Sequence, residues 1–386
     1  MTAVGNVTSE KEQAEDSPLR PFEEITPPLI FEGLQQGVLG QDKALRFISV
    51  AIYKHTTGKV PGNLLMIGNS GTGKTTIMNN IQRLYNEIPE YRPFRAVTII
   101  NANLLVDSDR MEFRPERLLS AVEQRARVIA GRKPSPEALQ EAIERATICI
   151  DEVDKMSSVV AGKPNPIGVV LQQGLLTLME KGHIVYPIHA WVDGEEKRVK
   201  LEIDTGHMMF ICGGAFEGLY DQVYNRVLKP GSGEKLRTQT IRTAEGQVRI
   251  ETTFRLSYYL KPTDLFEFGM VPQFIARFEN TVLLDDLSIK VLKEILLKSY
   301  ESPFVRSKRY FEVMNVELGI EDLAAALIAE QAAKDSRTGA RALRPIFVEI
   351  INPLEFDPWS GELLKPREGG GWTLQVTADM ARQVLK

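Results

Sequence analysis

Cysteine is scarce in this chain of 386 residues, which contains two, Cys149 and Cys212, each inside an apolar run. A disulfide framework and a cysteine-rich zinc site both require more thiols than this, so the composition excludes both. The four histidines show no metal-ligand spacing, and we expect no structural zinc. Because free thiols are typical of a reducing compartment, we expect a cytoplasmic protein.

Long apolar runs and an excess of basic charge are also missing. No apolar run approaches the roughly 18 residues that a transmembrane helix needs, so we expect no membrane partner. Residues 1–20 are polar and small, lack the apolar core of a secretion signal, and are predicted to form a disordered tail. The 47 basic and 51 acidic side chains leave a net charge of −4, which argues against nucleic acid as a partner, because sequence-independent binding needs a basic face.

Apolar segments of strand length are present, and they alternate with helical patterns. Strands that are buried on both faces and separated by helices indicate an α/β fold with a parallel sheet. Two hairpins are also predicted, with turns at Asp193-Gly194 and at Glu245-Gly246. Near the amino end, helical spacing places Phe47 and Ile48 on one apolar helix face. The candidates for sheet strands are residues 63–67, 96–100, 147–150 and 207–213.

The character of the chain changes after about residue 283. Beyond this point the sequence is rich in helical patterns, with the short β-prone pieces VEL (316–318) and WTLQV (372–376). We therefore predict a large α/β domain over residues 21–283 and a smaller domain of mixed α and β structure over residues 284–386.

The strongest chemical signal is a phosphate-binding loop, GNSGTGKT. It follows a short apolar strand and precedes a helix-prone segment, so it matches the full P-loop pattern in the required context. Glycines let backbone amides and the amino end of the next helix face an anion. Lys74 can reach the β- and γ-phosphates, and Thr75 can bind Mg²⁺. The residues predicted to bind nucleotide here are Gly68, Asn69, Ser70, Gly71, Thr72, Gly73, Lys74, Thr75 and Thr76.

A second signal is the apolar strand ICI followed by two acids, Asp151 and Glu152. Asp151, at the carboxyl end of the strand, suits coordination of Mg²⁺, and Glu152 suits polarisation of the attacking water. An acidic pair alone usually marks a solvated loop. Together with a P-loop it predicts ATP hydrolysis, because transfer of phosphate to a metabolite would not require the glutamate.

Several segments of the chain resemble, in order, motifs of the ClpX family of hexameric AAA+ ATPases, which unfold proteins. The resemblance runs from about residue 27 to about residue 356, and FICGGAF and the GAR…LR element are characteristic of the ClpX and HslU branch. It implies a P-loop NTPase fold with a five-stranded parallel sheet and a small lid domain, ATP and Mg²⁺ as cofactors, and a homohexameric ring or spiral. The segments are VLGQDKALRFISVAIYKH, NLLMIGNSGTGKTT, ICIDEVDKM, LQQGLLTLMEKG, FICGGAFEGL, GMVPQFIARFENTVLL and TGARALRPI.

The resemblance implies roles for further residues. Val38 and Leu39 match the segment that flanks the adenine. Arg277, in PQFIARF, matches the arginine finger that reaches the γ-phosphate bound by a neighbouring subunit. Arg341, in TGAR, matches the sensor-2 arginine, through which the small domain touches the nucleotide. A surface ion pair is the alternative role for either arginine. FICGGAF lacks the polar side chain common at the sensor-1 place, so no residue is assigned there.

Three family features are missing. No cysteine precedes Cys149, so we expect no zinc-binding amino-terminal module. Where the family has a Gly-Tyr-Val-Gly pore loop, this chain has DRMEFR, in which Met111 and Phe113 are candidates for gripping a polypeptide; an ordinary charged loop is the alternative. The Ile/Leu-Gly-Phe tripeptide that docks on the peptidase is also missing, and a predicted hairpin stands there, so we expect no such docking.

The motifs together predict an ATPase that remodels or unfolds a dedicated protein client, with Lys74, Asp151, Glu152 and Arg277 carrying hydrolysis. Three alternatives stay open. The chain can be a nucleotide-gated assembly or targeting factor that does not thread polypeptide, or the unfoldase subunit of an ATP-dependent protease with an unusual docking surface. A DNA-handling AAA+ loader is the third, and the lack of a basic stripe disfavours it.

Overall fold

The computed structural model describes residues 21, 24–59, 62–107, 109–160, 162–180, 182–242, 248–334, 338–359, 363–367 and 369–385. The tail predicted over residues 1–20 and the turn predicted at Glu245-Gly246 lie outside the described residues. None of the described helices has the length and apolarity to cross a bilayer.

Helices and strands are interspersed up to residue 283, and helices predominate after it. The helices are α1 (Pro27–Gln35), α2 (Asp42–Thr56), α3 (Lys74–Glu87), α4 (Pro115–Ala130), α5 (Pro136–Glu144), α6 (Pro166–Met179), α7 (Leu219–Leu228), α8 (Leu256–Tyr259), α9 (Pro262–Glu267), α10 (Pro272–Ile275), α11 (Ile289–Lys298), α12 (Pro303–Glu312), α13 (Asp322–Ala333), α14 (Leu343–Phe356) and α15 (Ala378–Val384). The strands are β1 (Leu64–Ile67), β2 (Val97–Asn101), β3 (Val106–Asp107), β4 (Glu112–Phe113), β5 (Thr147–Asp151), β6 (Val159–Val160), β7 (Lys163–Pro164), β8 (His183–Val192), β9 (Glu195–Asp204), β10 (Met209–Gly214), β11 (Arg237–Arg242), β12 (Val248–Thr253), β13 (Asn280–Leu283), β14 (Val316–Ile320), β15 (Lys365–Pro366) and β16 (Trp372–Val376).

Five parallel strands form the main sheet, in the order β13–β1–β10–β5–β2. Both faces of the sheet are covered by helices. Leu65 and Ile67 of β1 belong to the core that includes α4 to α7, and Leu64 and Met66 belong to the core that includes α1 to α3. Strands buried on both faces read as continuous apolar runs. The parallel α/β sheet predicted from those runs is confirmed.

The parallel arrangement gives the sheet two unlike edges. The carboxyl ends of β1, β10 and β5 meet at one edge, where Ile67, Gly214 and Asp151 end the strands. The amino ends meet at the opposite edge, where the side-chain amide of Asn63 donates to the carbonyl oxygen of Arg277 (3.2 Å). We call these the P-loop edge and the Arg277 edge.

The two cysteines lie on adjacent central strands and face opposite sides of the sheet. Cys149 is opposite Ile211 in the core of α1 to α3, and Cys212 is opposite Ile150 in the other core. Burial raises the pKa of the Cys149 thiol to about 12 and also raises that of Cys212. Both thiols are therefore inert packing groups on opposite faces, which cannot be joined in a disulfide.

Both predicted hairpins are present as paired strands. β8 and β9 pair antiparallel over their ten residues. Asp193 (φ 55°) and Gly194 (φ 84°) supply the two left-handed residues that a tight two-residue turn requires. β11 and β12 also pair antiparallel, with Arg242 opposite Val248.

A separate core lies after β13. Its described buried members lie between Leu292 and Ala381. In this region β14 pairs parallel with β16, and β15 pairs antiparallel with β16, so the β-prone pieces at 316–318 and 372–376 are strands of one sheet. Because this core is separate from the two cores of the main sheet, we propose a domain boundary near residue 284.

Phe47 departs from the predicted helix face. On α2, Ile48 is fully buried, whereas 44% of Phe47 is exposed. Successive helix residues are about 100° apart. The face that packs against the sheet is centred on Ile48, with Ala44 and Ala51 buried beside it, and Phe47 falls at its margin. The prediction that Phe47 shares this buried face was therefore wrong.

The two neighbours on α2 provide a matched stability test. We expect Ile48→Ala to lower the free energy of unfolding by about 2–5 kcal/mol, because it leaves a cavity in a closed core. We expect Phe47→Ala to change it by about 1 kcal/mol or less, because its partly exposed ring leaves no closed cavity. Urea denaturation followed by circular dichroism measures both. Equal losses would mean that α2 is rotated from the orientation described.

Candidate nucleotide site

The P-loop connects β1 to α3, and its backbone depends on two glycines. Gly71 (φ 72°) and Gly73 (φ 104°) adopt the left-handed region that other residues disfavour. A Cβ on Gly71 would lie 2.1 Å from the carbonyl oxygen of Thr338, whereas a Cβ on Gly73 would meet no atom within 4 Å. The open side of the loop is therefore at Gly73, where the amino end of α3 can face an anion.

Lys74 is the first residue of α3, and its ammonium group turns back into the loop. Nζ donates to the carbonyl oxygens of Gly68 (2.6 Å) and Asn69 (2.9 Å). Burial lowers the pKa of Lys74, and the nearby carboxylates of Asp151 and Asp154 oppose this shift. The side chain thus holds a buried positive charge within the loop, where phosphate oxygens can replace the two carbonyl contacts.

Thr75 and Asp151 meet at the P-loop edge. Thr75 Oγ1 donates to Asp151 Oδ2 (2.6 Å), while Asp151 Oδ1 accepts from the backbone N–H of Glu152 (2.9 Å). A threonine hydroxyl beside a carboxylate is the donor set that holds Mg²⁺ in P-loop ATPases. Thr76, the next residue of α3, is exposed.

The residues of the loop fit Mg²⁺-ATP. The open turn at Gly73 and the ammonium of Lys74 suit the phosphates, and Thr75 and Asp151 suit the cation. When bound, Mg²⁺ would neutralise charge that develops on the phosphate oxygens. The protein contributes the orientation of these groups and a partly buried setting for them.

Glu152 is held by a neighbour that no motif indicates. Asn101 ends β2 opposite Asp151, and its side-chain amide donates to Glu152 Oε2 (2.5 Å). Glu152 has a φ of 59°, which is unusual for a residue with a side chain. A usable signal for Asn101 is its position directly after the apolar run at 96–100, because parallel strands end at one edge.

The part of the chain after β13 reaches the P-loop through the turn Gly339–Ala342. The guanidinium of Arg341 donates to Ser70 Oγ (2.6 Å), and the backbone N–H of Ala340 donates to the carbonyl oxygen of Gly71 (3.1 Å). The structure thus places Arg341 against the P-loop, and its contact with nucleotide stays a prediction. Because the partner is the loop itself, movement of this turn changes the surroundings of the phosphate site directly.

The segment before α2 contacts the loop from another side through Gln41. The Gln41 side chain is buried and donates to the carbonyl oxygens of Thr72 (3.0 Å) and Asp285 (2.9 Å), and it accepts from the Asp285 N–H (3.1 Å). Val38 is buried and Leu39 half-buried just ahead of it. The predicted adenine segment therefore lies beside the loop, and its adenine contact stays a prediction.

Arg277 is remote from the P-loop of its own chain. It precedes β13, whose first residue, Asn280, is opposite Leu64 at the start of β1, while the P-loop follows the end of β1. Its guanidinium donates to Glu180 Oε1 (2.5 Å), and both side chains are partly exposed. The structure therefore groups Lys74, Thr75, Asp151, Glu152 and Arg341, and it leaves Arg277 on the opposite edge.

The residues at the sensor-1 place have no side-chain atoms beyond Cβ. β10 ends in Gly213 and Gly214, and Ala215 follows. The N–H of Ala215 donates to Asp154 Oδ1 (3.2 Å), and a Cβ on Gly214 would lie 2.7 Å from the same oxygen. Burial raises the pKa of Asp154, and Lys155 opposes that shift. Asp154 thus occupies the space that a larger residue at the strand end would need.

The two pore-loop candidates differ in their surroundings. They lie on the β3–β4 hairpin, in which Val106 is opposite Phe113. The ring of Phe113 packs against Gly174 of α6 so closely that a Cβ on Gly174 would clash with it. Met111 directly precedes β4, has a φ of 50° and is 44% exposed. The prediction that this loop grips a polypeptide therefore rests on Met111.

Comparison with known proteins agrees with this geometry. The family model described as the AAA domain (Cdc48 subfamily) matches residues 59–281, which is more than half of the chain. The ATP-dependent Clp protease ATP-binding subunit ClpX of Azotobacter vinelandii is 30% identical over 383 residues, covering 92% of this chain and 81% of that protein. The same subunit of Bacteroides thetaiotaomicron is 28% identical over 384 residues, covering 95% of this chain and 83% of that protein. With these matches and a P-loop that fits Mg²⁺-ATP, the chain belongs to the ClpX-like AAA+ ATPases.

Proposed function

We propose that this ATPase assembles into a ring or spiral of identical subunits and uses ATP hydrolysis to remodel a dedicated protein client. The observation that carries the proposal is the position of Arg277. Lys74, Thr75, Asp151 and Glu152 meet at the P-loop edge, whereas Arg277 lies at the opposite edge with a partly exposed guanidinium. A site that needs an arginine finger is therefore completed by a second copy of the chain.

Each residue has a distinct task in this proposal. Lys74 and Thr75 hold the phosphates and the cation, and Asp151 supports the cation. Glu152 accepts the proton of the attacking water once its contact with Asn101 has loosened. Arg277 of the neighbouring copy stabilises charge in the transition state. Arg341 connects the state of the phosphate site to the small domain.

We further propose that the chain works without a ClpP-type peptidase. The β11–β12 hairpin occupies the stretch where the docking tripeptide is missing. The chain is held on either side of the hairpin, because Phe254, directly after β12, stacks on Tyr259 with ring centroids 5.2 Å apart, and Glu234, ahead of β11, pairs with Arg226 (2.8 Å). A hairpin whose flanking residues are held in this way is suited to contact a specific partner, whereas the family's tripeptide is a short apolar anchor.

A second candidate function is a nucleotide-gated assembly factor that binds a partner without threading it. The packing of Phe113 against Gly174 favours this candidate, because it leaves Met111 as the exposed apolar side chain of the predicted pore loop. The two functions differ in what they require of Met111.

Met111→Ala separates the two candidates. A threading motor should lose about tenfold in client remodelling, because the contact of one methionine side chain contributes about 1.5 kcal/mol. Its ATPase rate should be retained, because Met111 lies outside the nucleotide site. Val128→Ala, which truncates another exposed apolar side chain, is the control and should change neither rate. Retained remodelling by Met111→Ala would favour the assembly factor.

Capture of the client tests the proposed function itself. Tagged Glu152→Gln, with ATP present, should keep nucleotide bound while hydrolysis slows, so that client stays attached during purification from the native host. Lys74→Ala removes the phosphate contact and is the matched control that should release the client. Mass spectrometry should find one dominant protein in the first sample and not in the second. A broad set of proteins together with a peptidase would contradict the proposal and assign the chain to a proteolytic machine.

A further inference from the structure

Helix α6 lies between the hydrolytic strand β5 and the segment that carries Arg277. After Glu152 the chain makes the turn Val153–Met156, and α6 packs directly on it. A Cβ on Gly168 of α6 would lie 2.5 Å from the carbonyl oxygen of Met156 and 2.4 Å from that of Ser157. The close approach means that the turn and the helix move together.

A buried amide on α6 joins this turn to the Arg277 segment. Gln172 is fully buried, and its Nε2 donates to the carbonyl oxygens of Met156 (2.6 Å) and Gly269 (3.2 Å). Its Oε1 accepts from the backbone N–H of Val271 (2.7 Å). The amide nitrogen therefore bonds both to the turn after Glu152 and to the segment that leads into α10. The amide oxygen bonds to that same segment.

Direct contacts reinforce the same connection. Ser157 Oγ donates to the carbonyl oxygen of Phe268 (2.7 Å), and the Ser158 N–H donates to that of Gly269 (2.9 Å). Two residues after α10 comes Arg277, whose guanidinium is held by Glu180 directly after the last residue of α6. The middle of the helix, at Gln172, and the residue after its end, Glu180, thus both contact the Arg277 segment.

We infer that α6 transmits the position of a subunit's own hydrolytic segment to the arginine that it offers to its neighbour. Gln172 and Glu180 are the positioning residues in this connection. The inference rests on the proposed action of Arg277 in the neighbouring site. A buried hydrogen-bonded network has little freedom to deform, so a shift of the turn after Glu152 is passed to residues 268–271 and on to Arg277. The network predicts that Gln172 matters to the neighbour's site more than to its own.

Mixed assemblies separate these two effects. Glu152→Gln subunits supply a normal Arg277 but cannot hydrolyse, and Arg277→Ala subunits can hydrolyse but supply no finger. Each alone should be inactive, and the mixture should regain ATPase activity. Gln172→Met is then added either to the finger donor or to the hydrolysing subunit. This change keeps the side-chain length and removes both hydrogen-bonding ends.

The expected result is an asymmetry between the two placements. Gln172→Met in the donor should lower the regained ATPase rate about fivefold or more, a typical size for coupling between sites. In the hydrolysing subunit it should have a much smaller effect. An equal or larger loss in the hydrolysing subunit would overturn the inference, because Gln172 would then serve its own site. Failure of the original mixture to regain activity would overturn the action of Arg277 on its neighbour, and the inference with it.

Glu180→Gln keeps the test decisive if Gln172→Met does not assemble. Glu180 is partly exposed, so its substitution does not threaten folding. In the donor it should change the regained rate by about two- to fivefold, in line with the strength of an exposed ion pair. The matched control is Glu141→Gln on α5, which breaks an exposed ion pair with Arg145 and should have no effect. Equal effects of Glu180→Gln in donor and hydrolysing subunit would overturn the inference.

Discussion

The contact of three chain segments at the P-loop is the constraint on which the rest of the structure depends. Ala340 donates to the carbonyl of Gly71, and Gln41 donates to that of Thr72 while also bonding both backbone groups of Asp285. The phosphate-binding loop is therefore the junction between the amino-terminal segment, the main sheet and the segment that carries Ala340. A change in the loop would therefore act on all three segments.

The direction of the strands divides chemistry between the two edges of the sheet. One edge holds Lys74, Asp151 and Glu152, and the other holds Arg277, because parallel strands end together. The pairing of β13 with β1 keeps Arg277 at the edge opposite its own P-loop. This polarity is the physical reason for the proposed ring or spiral of subunits. Within one subunit, α6 connects the two edges.

Most of the fold and the centre of the site are visible in the sequence, because they depend on local patterns. The apolar runs predict the buried strands, and the glycine spacing of the P-loop predicts a backbone that only glycine adopts readily. Asp151 and Glu152 follow from their place after a buried strand. Arg341 came from resemblance to a family, and the structure places it on Ser70.

The remaining features depend on contacts between distant parts of the chain. The sequence does not show which atoms Asn101, Gln41 and Gln172 contact, and only the fold shows that they bond to Glu152, Thr72 and Met156. The exposure of Phe47 and the packing of Phe113 on Gly174 depend on which neighbouring elements cover these rings. Periodicity cannot supply such information, since it reports the face of an element and not what covers it.

The dependence of the specific ATPase rate on subunit concentration tests the central claim most directly. The rate per subunit should rise with concentration over the range in which light scattering on the same samples shows assembly, because each site lacks an arginine finger until a neighbour binds. A constant rate per subunit across that range would contradict the account, since it would mean that one chain contains a complete site.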